Sequence, residues 1–284
     1  MNCAWNELLN ILPLRIRSEV DRLGRQSLQE LRLRVNQSPE LVTFRGSVLL
    51  DTKTTGSDLG FVINTASRYS PWSAATAACG YITAAGGHRI GLCGETVCSD
   101  TGMSGIRQPS SLCIRVARDF HGIADDASAI QGNILILGPP GSGKTTLLRD
   151  LIRQKSDVGP GSVAVVDERR EIFPVSEQGI CFGTGCRTDV ISGCPKSQGI
   201  DTVLRSMGPA WIAVDEITAA EDCDALIRSG WCGVSLIATA HAASVYDLLA
   251  RPVYKPLVQS NLFETALVLK MDKSWRKERI PCGA

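Results

Sequence analysis

The amino-acid sequence predicts an α/β protein in which a parallel β-sheet, covered by helices on both faces, follows a smaller α+β domain. Two observations predict this class. After about residue 128, short and nearly continuous apolar segments alternate with segments of helical periodicity, which is the pattern of a parallel sheet. Before that point, segments of alternating polarity and hairpin turns are mixed with helices, which is typical of an α+β arrangement.

The first domain is predicted to span residues 1–128. Residues 119–132 are small or polar and have no strong period, so the domain boundary is placed within them. The expected elements are helices at residues 5–12 and 15–23, a strand at 30–35, a hairpin at 41–50, helices around 59–66 and 72–79, a hairpin at 81–96 and a strand at 112–117.

The second domain is predicted to span residues 129–284 and to hold the parallel sheet. Its apolar segments are short and uninterrupted, as expected of strands that are buried on both faces. The expected strands are residues 134–137, 163–166, 211–214 and 235–240, and the expected helices are 144–154, 198–207 and 219–229.

Composition limits the classes of function. The chain has 284 residues and a net charge of +1, from 30 basic and 29 acidic side chains. Such an even balance argues against a general polyanion binder, so no nucleic-acid partner is expected. The longest strongly apolar runs, such as residues 233–240, are much shorter than the roughly 20 residues that cross a bilayer. No secretory leader is visible, and we expect a cytoplasmic protein without a membrane span.

The chain contains eleven cysteines, which is many for its length. Their spacings include no Cys-x2-Cys pair, so we expect reduced thiols that act as small apolar side chains. A zinc site at Cys181, Cys186 and Cys194 is the alternative.

A glycine-rich loop carries the strongest functional signal. It lies between the expected strand at 134–137 and the following helix, and it fits the phosphate-binding pattern G-x-x-x-x-G-K-[ST]. Backbone N–H groups of such a loop surround phosphate oxygens, the lysine reaches the β- and γ-phosphates, and the hydroxyl ligates Mg²⁺. The predicted nucleotide-binding residues are Gly138, Pro139, Pro140, Gly141, Ser142, Gly143, Lys144, Thr145 and Thr146.

Two carboxylate pairs follow apolar strands with the same Val-Asp-Glu ending, Asp167-Glu168 and Asp215-Glu216. P-loop ATPases of the RecA-like class have the sheet order 5-1-4-3-2, and by analogy the third strand carries the metal-binding aspartate. Because Asp215 ends the third strand, we predict that it binds Mg²⁺ together with Thr145. Glu216 is then predicted to polarise the attacking water, so the expected cofactors are ATP and Mg²⁺.

The other strand tips hold further candidates. Asp167 and Glu168 end the second strand, the one farthest from the loop. They either face the nucleotide, from the far side of the site or from an adjacent subunit, or form an ion-paired surface turn. His241 follows the fourth strand, beside the expected γ-phosphate, where it either contacts phosphate or the water network or caps a turn.

Several sequence blocks resemble the stage III sporulation protein AA family of spore-forming bacteria. The resemblance covers roughly residues 28–270 and includes both halves of the chain. The blocks are GYITAAGGHRIGLCGE, SSLCIRVARD, GPPGSGKTTLLRDLIR, VVDERREI, GCRTDVISGCPKSQG, LRSMGPAWIAVDEI and LIATAHAAS.

The resemblance implies a RecA-like P-loop ATPase related to the motor ATPases of type II and type IV secretion. It implies a homo-oligomer, a hexameric ring at the base of a membrane complex of stage III sporulation proteins, which energises the channel between mother cell and forespore. In that family the VDER and ATAH blocks correspond to the Asp and His boxes of secretion ATPases. The resemblance therefore favours roles at the nucleotide for Asp167, Glu168 and His241.

An arginine is expected to complete the site, because the transition state of phosphoryl transfer gains from added positive charge. Arg187 in the CRTDV block and Arg89 are the preferred candidates for donation from a neighbouring subunit, followed by Arg107 and Arg115. Each of them is otherwise a structural or surface arginine.

Two other functions are weighed against a motor. One is a RecA-like ATPase associated with nucleic acid, which the near-neutral charge disfavours. The other is a nucleotide-gated scaffold that does not hydrolyse ATP, which the presence of Glu216 disfavours. The basic segment at residues 270–279 is expected to be a solvated tail, with contact to anionic lipid or to a membrane partner as the alternative.

Overall fold

A computed structural model describes residues 3–67, 80–99, 102–176 and 179–281. The chain forms two compact units. The first consists of Met1–Asp119 and Pro174–Phe182, and the second of Phe120–Phe173 and Gly183–Ala284. The units therefore divide after Asp119, and the chain returns to the first unit between Phe173 and Gly183. The domain boundary near residue 128 stays a prediction.

The first unit is an antiparallel sheet with helices, as predicted for the smaller α+β domain. Its elements are α1 (Trp5–Asn10), α2 (Leu14–Leu23), β1 (Leu28–Arg34), β2 (Glu40–Thr43), β3 (Gly46–Leu49), α3 (Gly56–Ser67), β4 (Tyr81–Thr83), β5 (Arg89–Ser99) and β6 (Gly102–Arg115). The sheet has the order β3-β2-β1-β6-β5-β4. Leu28, Leu31 and Leu33 of the strand β1 are buried, and so are Ile16 and Val20 of the helix α2. The helix expected around 72–79 lies outside the described residues.

The second unit is built on a mostly parallel sheet of seven strands. The short strands β9 (Val175–Ser176) and β10 (Gly179–Ile180) belong to the first unit, and they pair with each other as a separate hairpin. The elements of the second unit are α4 (Asp125–Ser128), β7 (Ile134–Leu137), α5 (Lys144–Val158), β8 (Val163–Asp167), β11 (Thr188–Ser192), α6 (Lys196–Ser206), β12 (Trp211–Val214), α7 (Ala220–Trp231), β13 (Ser235–Ala240), α8 (Val245–Ala250), α9 (Lys255–Gln259), β14 (Thr265–Leu269) and β15 (Trp275–Arg279).

The order of this sheet confirms the predicted RecA-like arrangement. The strands run β11-β8-β12-β13-β7-β14-β15. With β7, β8, β12, β13 and β14 taken as the first to the fifth strand, the central order is 5-1-4-3-2. All residues of β7 and β8 are buried, which agrees with their uninterrupted apolar sequences. No helix in the described ranges is long and apolar enough to cross a membrane.

Two strands at the edges of the sheet were not predicted. The strand β11 runs parallel to β8, whereas β15 runs antiparallel to β14. The prediction of a solvated tail at residues 270–279 was wrong, because Trp275–Arg279 forms this last strand. Charged side chains on an edge strand discourage pairing with other chains, and they also hide the alternation by which strands are recognised.

The start of the helix α7 is held by one of its own side chains. The Asp222 carboxylate reaches back and accepts hydrogen bonds from the backbone N–H groups of Thr218, at 3.1 Å, and Ala219, at 3.2 Å. The same carboxylate lies 3.5 Å from the buried Lys196 ammonium. Asp222 therefore fixes the start of α7, just after the tip of β12.

Gly199 allows the helix α6 to lie close against β8. A Cβ at this position would come within 2.4 Å of Val166 Cγ1 and 3.0 Å of Cys194 Sγ. We predict that Gly199→Ala lowers the free energy of unfolding by about 1–3 kcal/mol through overpacking, although alanine favours a helix. Urea denaturation measures the change.

The matched control is Gly60→Ala in α3, where a Cβ would meet nothing within 4 Å. It is expected to stabilise the protein by about 0.5–1 kcal/mol. Stabilisation by both substitutions would show that α6 does not need the close contact at Gly199.

Candidate functional site

The loop between β7 and α5 requires its glycines. Gly141 and Gly143 have φ angles of +74° and +99°, a conformation that favours residues without a Cβ. At Gly138, a Cβ would lie 2.5 Å from Ser142 Oγ and 3.2 Å from Leu269 Cβ. The loop is thus compact, and it leads directly into the first turn of α5.

Lys144 begins α5 and folds back over the loop. Its ammonium donates to the carbonyl oxygens of Gly138, at 2.9 Å, and Pro139, at 3.1 Å, and to Nδ1 of His241, at 3.0 Å. Burial lowers the pKa of Lys144, while the charges of Asp215 and Glu216 act in the opposite direction. Three acceptors therefore hold this lysine at the end of the sheet where the strand tips meet.

The tip of β12 joins the start of α5. The hydroxyl of Thr145 donates to Asp215 Oδ2 at 2.7 Å. The hydroxyl of Thr239, from the neighbouring strand β13, donates to the other oxygen of Asp215 and accepts from Glu216 N at 2.8 Å. A hydroxyl next to a carboxylate supplies oxygen ligands of the kind that Mg²⁺ binds together with phosphate oxygens.

Both carboxylate oxygens of Glu216 have partners, and the Glu216 backbone has an unusual conformation. Its φ is +49°, which is uncommon for a residue other than glycine and is frequent at functional sites. One carboxylate oxygen lies 2.9 Å from His241 Nε2, and the other forms an ion pair with Arg169. Because the Lys144 ammonium has only N–H donors, His241 Nδ1 must accept, so the Nε2–H group donates to Glu216.

Asp167 supports a turn. The Asp167 side chain is almost fully buried and accepts hydrogen bonds at 2.8 Å from the backbone N–H groups of Glu171 and Phe173. Burial raises the pKa of Asp167 to about 6, and the backbone N–H groups of Phe173 and Ile172 counteract part of this effect. The carboxylate thereby fixes the chain that follows β8.

Glu168 has a different partner, since it accepts from the Lys196 ammonium at 2.9 Å. A cleft at the tips of β8 and β12 nevertheless brings both carboxylate pairs together. It is lined by Asp167, Glu168, Arg169, Glu171, Lys196, Asp215 and Glu216. Contact of Asp167 or Glu168 with a nucleotide stays a prediction.

Arg187 is not brought to this site within the chain. Its guanidinium donates to the carbonyl oxygens of Asp157, at 3.1 Å, and Gly159, at the C-terminal end of α5. The loop is at the other end of this helix of 15 residues, which has a length of about 22 Å. A role for Arg187 in the site of a neighbouring copy stays a prediction.

Two residues at this end of the sheet were missed by the sequence analysis. Thr239 was not among the predicted site residues, although it contacts both Asp215 and Glu216. Lys273 was assigned to a tail, although its ammonium donates to the carbonyl oxygen of Gly141. The position of Thr239, two residues before His241, could have identified Thr239 as a site residue. No local sequence pattern identifies Lys273.

The cysteines that the structure describes do not form a metal site. Among the described residues, no group of three or more His, Cys, Asp or Glu side chains is arranged to hold a metal ion. Cys181, Cys186 and Cys194 are among the described residues, and they are not placed in such a group.

The sheet order and the glycine-rich loop define the second unit as a RecA-like P-loop domain. The structure is similar to that of the Legionella pneumophila ATPase DotB, with a TM-score of 0.58 and 15% identity over 94% of this chain and 80% of that one. The pilus retraction motor PilT, solved with ADP, gives a TM-score of 0.61 and 12% identity over 90% and 77%.

Sequence comparison identifies the family. A family model described as "Sporulation stage III, protein AA" matches residues 4–279. The chain is 36% identical over 281 residues to the stage III sporulation protein AA of Bacillus subtilis, which covers 94% of this chain and 92% of that protein. The chain belongs to the stage III sporulation protein AA family, and the resemblance noted in the sequence is confirmed.

The pKa of Asp167 predicts a pH dependence of stability. Its value rises from 3.8 to about 6 on folding, so the folded protein binds this proton more tightly than the unfolded chain. The free energy of unfolding therefore decreases as pH rises from about 4 to 6. Relative to Asp167→Asn, which does not titrate, we expect the parent to lose about 3 kcal/mol across this window.

Urea denaturation of the parent and the Asp167→Asn variant at several pH values between 4 and 7 measures the difference. Asp126→Asn on the exposed side of α4 controls for the loss of one negative charge. A difference between parent and Asp167→Asn that is the same at every pH contradicts the prediction.

Proposed function

We propose that the chain is a Mg²⁺-dependent ATPase. The observation that carries this proposal is the 2.7 Å hydrogen bond between Thr145 and Asp215, two residues 70 positions apart in the sequence. It brings the hydroxyl of the phosphate-loop pattern to the carboxylate at the tip of β12, as a shared metal site requires. The glycine geometry at Gly138, Gly141 and Gly143 supports the same conclusion, because side chains there would fill the loop or strain it.

The residues present fit ATP and Mg²⁺. The backbone N–H groups of residues 141–145 and the ammonium of Lys144 would hold the phosphates, while Thr145 and Asp215 would hold the metal. Bound Mg²⁺ would neutralise charge on the phosphate oxygens and align them for in-line displacement. Lys144 has three protein acceptors, and a phosphate oxygen would take the place of one of them.

Glu216 is the group that would orient the attacking water and accept its proton. Its backbone N–H is held by Asp215 Oδ1 at 3.1 Å and by Thr239 Oγ1 at 2.8 Å, so its position is tied to the metal-binding carboxylate. His241 donates to Glu216 and accepts from Lys144, which links the proton acceptor to the phosphate-binding lysine. We infer that His241 responds to the presence of the γ-phosphate through this link.

We further propose a biological setting: a ring-forming motor, hexameric and cytoplasmic, that energises a membrane channel complex of stage III sporulation proteins. Membership of the sporulation family supports the setting. The fold shared with PilT, a pilus retraction motor, supports mechanical work. An arginine donated by a neighbouring copy, with Arg187 as the first candidate, would couple hydrolysis to movement around the ring.

Replacement of Glu216 tests hydrolysis separately from binding. Glu216→Gln is expected to lower the kcat for ATP at least about 100-fold, because the amide cannot accept the proton of water. The Kd for ATP should stay within about threefold of the parent value, because the phosphate and metal ligands remain. Steady-state ATP hydrolysis and fluorescent-nucleotide binding measure the two quantities.

The matched control is Glu221→Gln, an exposed glutamate in the first turn of α7, which should hydrolyse ATP as the parent does. Equal turnover of Glu216→Gln and Glu221→Gln would remove Glu216 from the mechanism. A parent that binds ATP with no Mg²⁺-dependent turnover, alone or with added DNA or RNA, would favour the nucleotide-gated scaffold.

The role of Arg187 across a subunit boundary is tested by mixing variants. Arg187→Ala alone should bind ATP and lose turnover about 10³-fold, the lower end of the range for a transferred arginine. A mixture of Arg187→Ala and Glu216→Gln chains contains interfaces with an intact glutamate on one side and an intact arginine on the other. Hydrolysis by the mixture should exceed that of either variant alone.

Mass in solution, measured with and without nucleotide, must show that the two variants assemble together. Normal turnover by Arg187→Ala would limit Arg187 to its hydrogen bonds at the end of α5. Recovery in the mixture would be absent if the arginine acted within its own chain.

A further inference from the structure

The turn between β14 and β15 lies beside the phosphate loop. The strand β14 runs parallel to β7, with Val268 opposite Leu137, so the next residue of each strand enters the loop region. A Cβ on Gly138 would be 3.2 Å from both Cβ and O of Leu269. The chain then turns at residues 270–274 and returns as β15. This turn is thus placed at the nucleotide end of the sheet.

The turn is tightly constructed and puts a lysine in a strained position. Backbone hydrogen bonds join Lys270 N to Ser274 O, at 2.9 Å, and Lys273 N to Lys270 O, at 3.1 Å. The Asp272 carboxylate accepts from the N–H and the hydroxyl of Ser274, at 2.9 and 2.6 Å. Lys273 has a φ of +70°, which glycine or asparagine would adopt at lower cost. Use of a lysine here suggests that its side chain has a function.

The side chain of Lys273 extends over the loop. Its ammonium donates to the carbonyl oxygen of Gly141, and its Cδ would lie 3.7 Å from a Cβ on Gly143. The Lys273 ammonium is exposed, and within the described residues its one hydrogen-bond acceptor is Gly141 O. Two of its three N–H groups therefore face solvent. Lys144, in contrast, has three protein acceptors.

We infer that Lys273 is a second phosphate-contacting cation of the nucleotide site, delivered by the β14–β15 turn. This inference rests on the proposed ATP binding. The ammonium lies at the outer turn of the loop whose N–H groups would surround the phosphates, and it retains free donors there. Charge-assisted hydrogen bonds to phosphate are stronger than neutral ones, so Lys273 adds affinity for the polyphosphate that Lys144 and the metal also bind.

The test uses the full chain with Mg²⁺ and MANT-ATP as the probe. Lys273→Gln keeps an N–H donor for the Gly141 carbonyl but removes the charge, and its Kd should rise about tenfold. Lys273→Arg keeps the charge and should stay within about twofold of the parent. The control for net charge is Lys277→Gln, an exposed lysine on the same strand β15, opposite Leu267. It should bind as the parent does.

The outcomes separate the possible roles. Raising the salt concentration should reduce the difference between parent and Lys273→Gln, because screening weakens exposed charge interactions. Parental affinity in Lys273→Gln, together with weak binding by Lys273→Met, would mean that Lys273 only holds the loop by a hydrogen bond, and would overturn the inference. So would equal affinities of Lys273→Gln and Lys277→Gln.

A failure of the proposed ATP binding would give a different result from a failure of the Lys273 inference alone. If the parent does not bind MANT-ATP, the proposed function and this inference both fall. If the parent binds it and the Lys273 variants match the parent, only the inference falls. Thermal unfolding without nucleotide should give the same midpoint for Lys273→Gln and Lys277→Gln, which shows that a change in Kd comes from the site and not from the fold.

Discussion

The site depends on the hydrogen bond between the Thr145 hydroxyl and the Asp215 carboxylate. It connects the first turn of α5, which follows β7, to the tip of β12. These strands are not neighbours, because β13 lies between them. Thr239, at the end of that intervening strand, supplies the missing support by donating to Asp215 and accepting from Glu216 N. The sheet order thus determines which strand must end in a hydroxyl.

A chain of polar contacts extends from this support across the site. Lys144 donates to His241, His241 donates to Glu216, and Glu216 also pairs with Arg169. Since each donor in this chain faces an acceptor, a change at Lys144 alters what is available to His241 and then to Glu216. Under the proposed function, phosphate contact at Lys144 and water activation at Glu216 are coupled through one imidazole.

The site residues that could be predicted from the sequence are those that a local sequence pattern marks. The glycine-rich loop has a motif, and the carboxylates and His241 end apolar strands whose order follows from the fold analogy. Thr239 and Lys273 act through contacts between separate strands, and β15 has charged residues where apolar alternation would identify a strand. Arg187 was predicted from its sequence block. The block does not reveal that the Arg187 guanidinium donates to backbone carbonyl oxygens at the end of α5.

The two Val-Asp-Glu endings show why a motif alone does not assign a role. After Asp167, the chain curls back, so the backbone N–H groups of Glu171 and Phe173 point at the carboxylate and bury it. After Asp215, the positive φ of Glu216 turns the chain away toward α7, and two side-chain hydroxyls reach the carboxylate beside the backbone N–H group of Glu216. Hydroxyls can rotate or exchange with a metal ion, whereas the backbone donors around Asp167 are fixed by the fold. Under the proposed function, Asp215 is therefore the carboxylate of the two that would bind Mg²⁺.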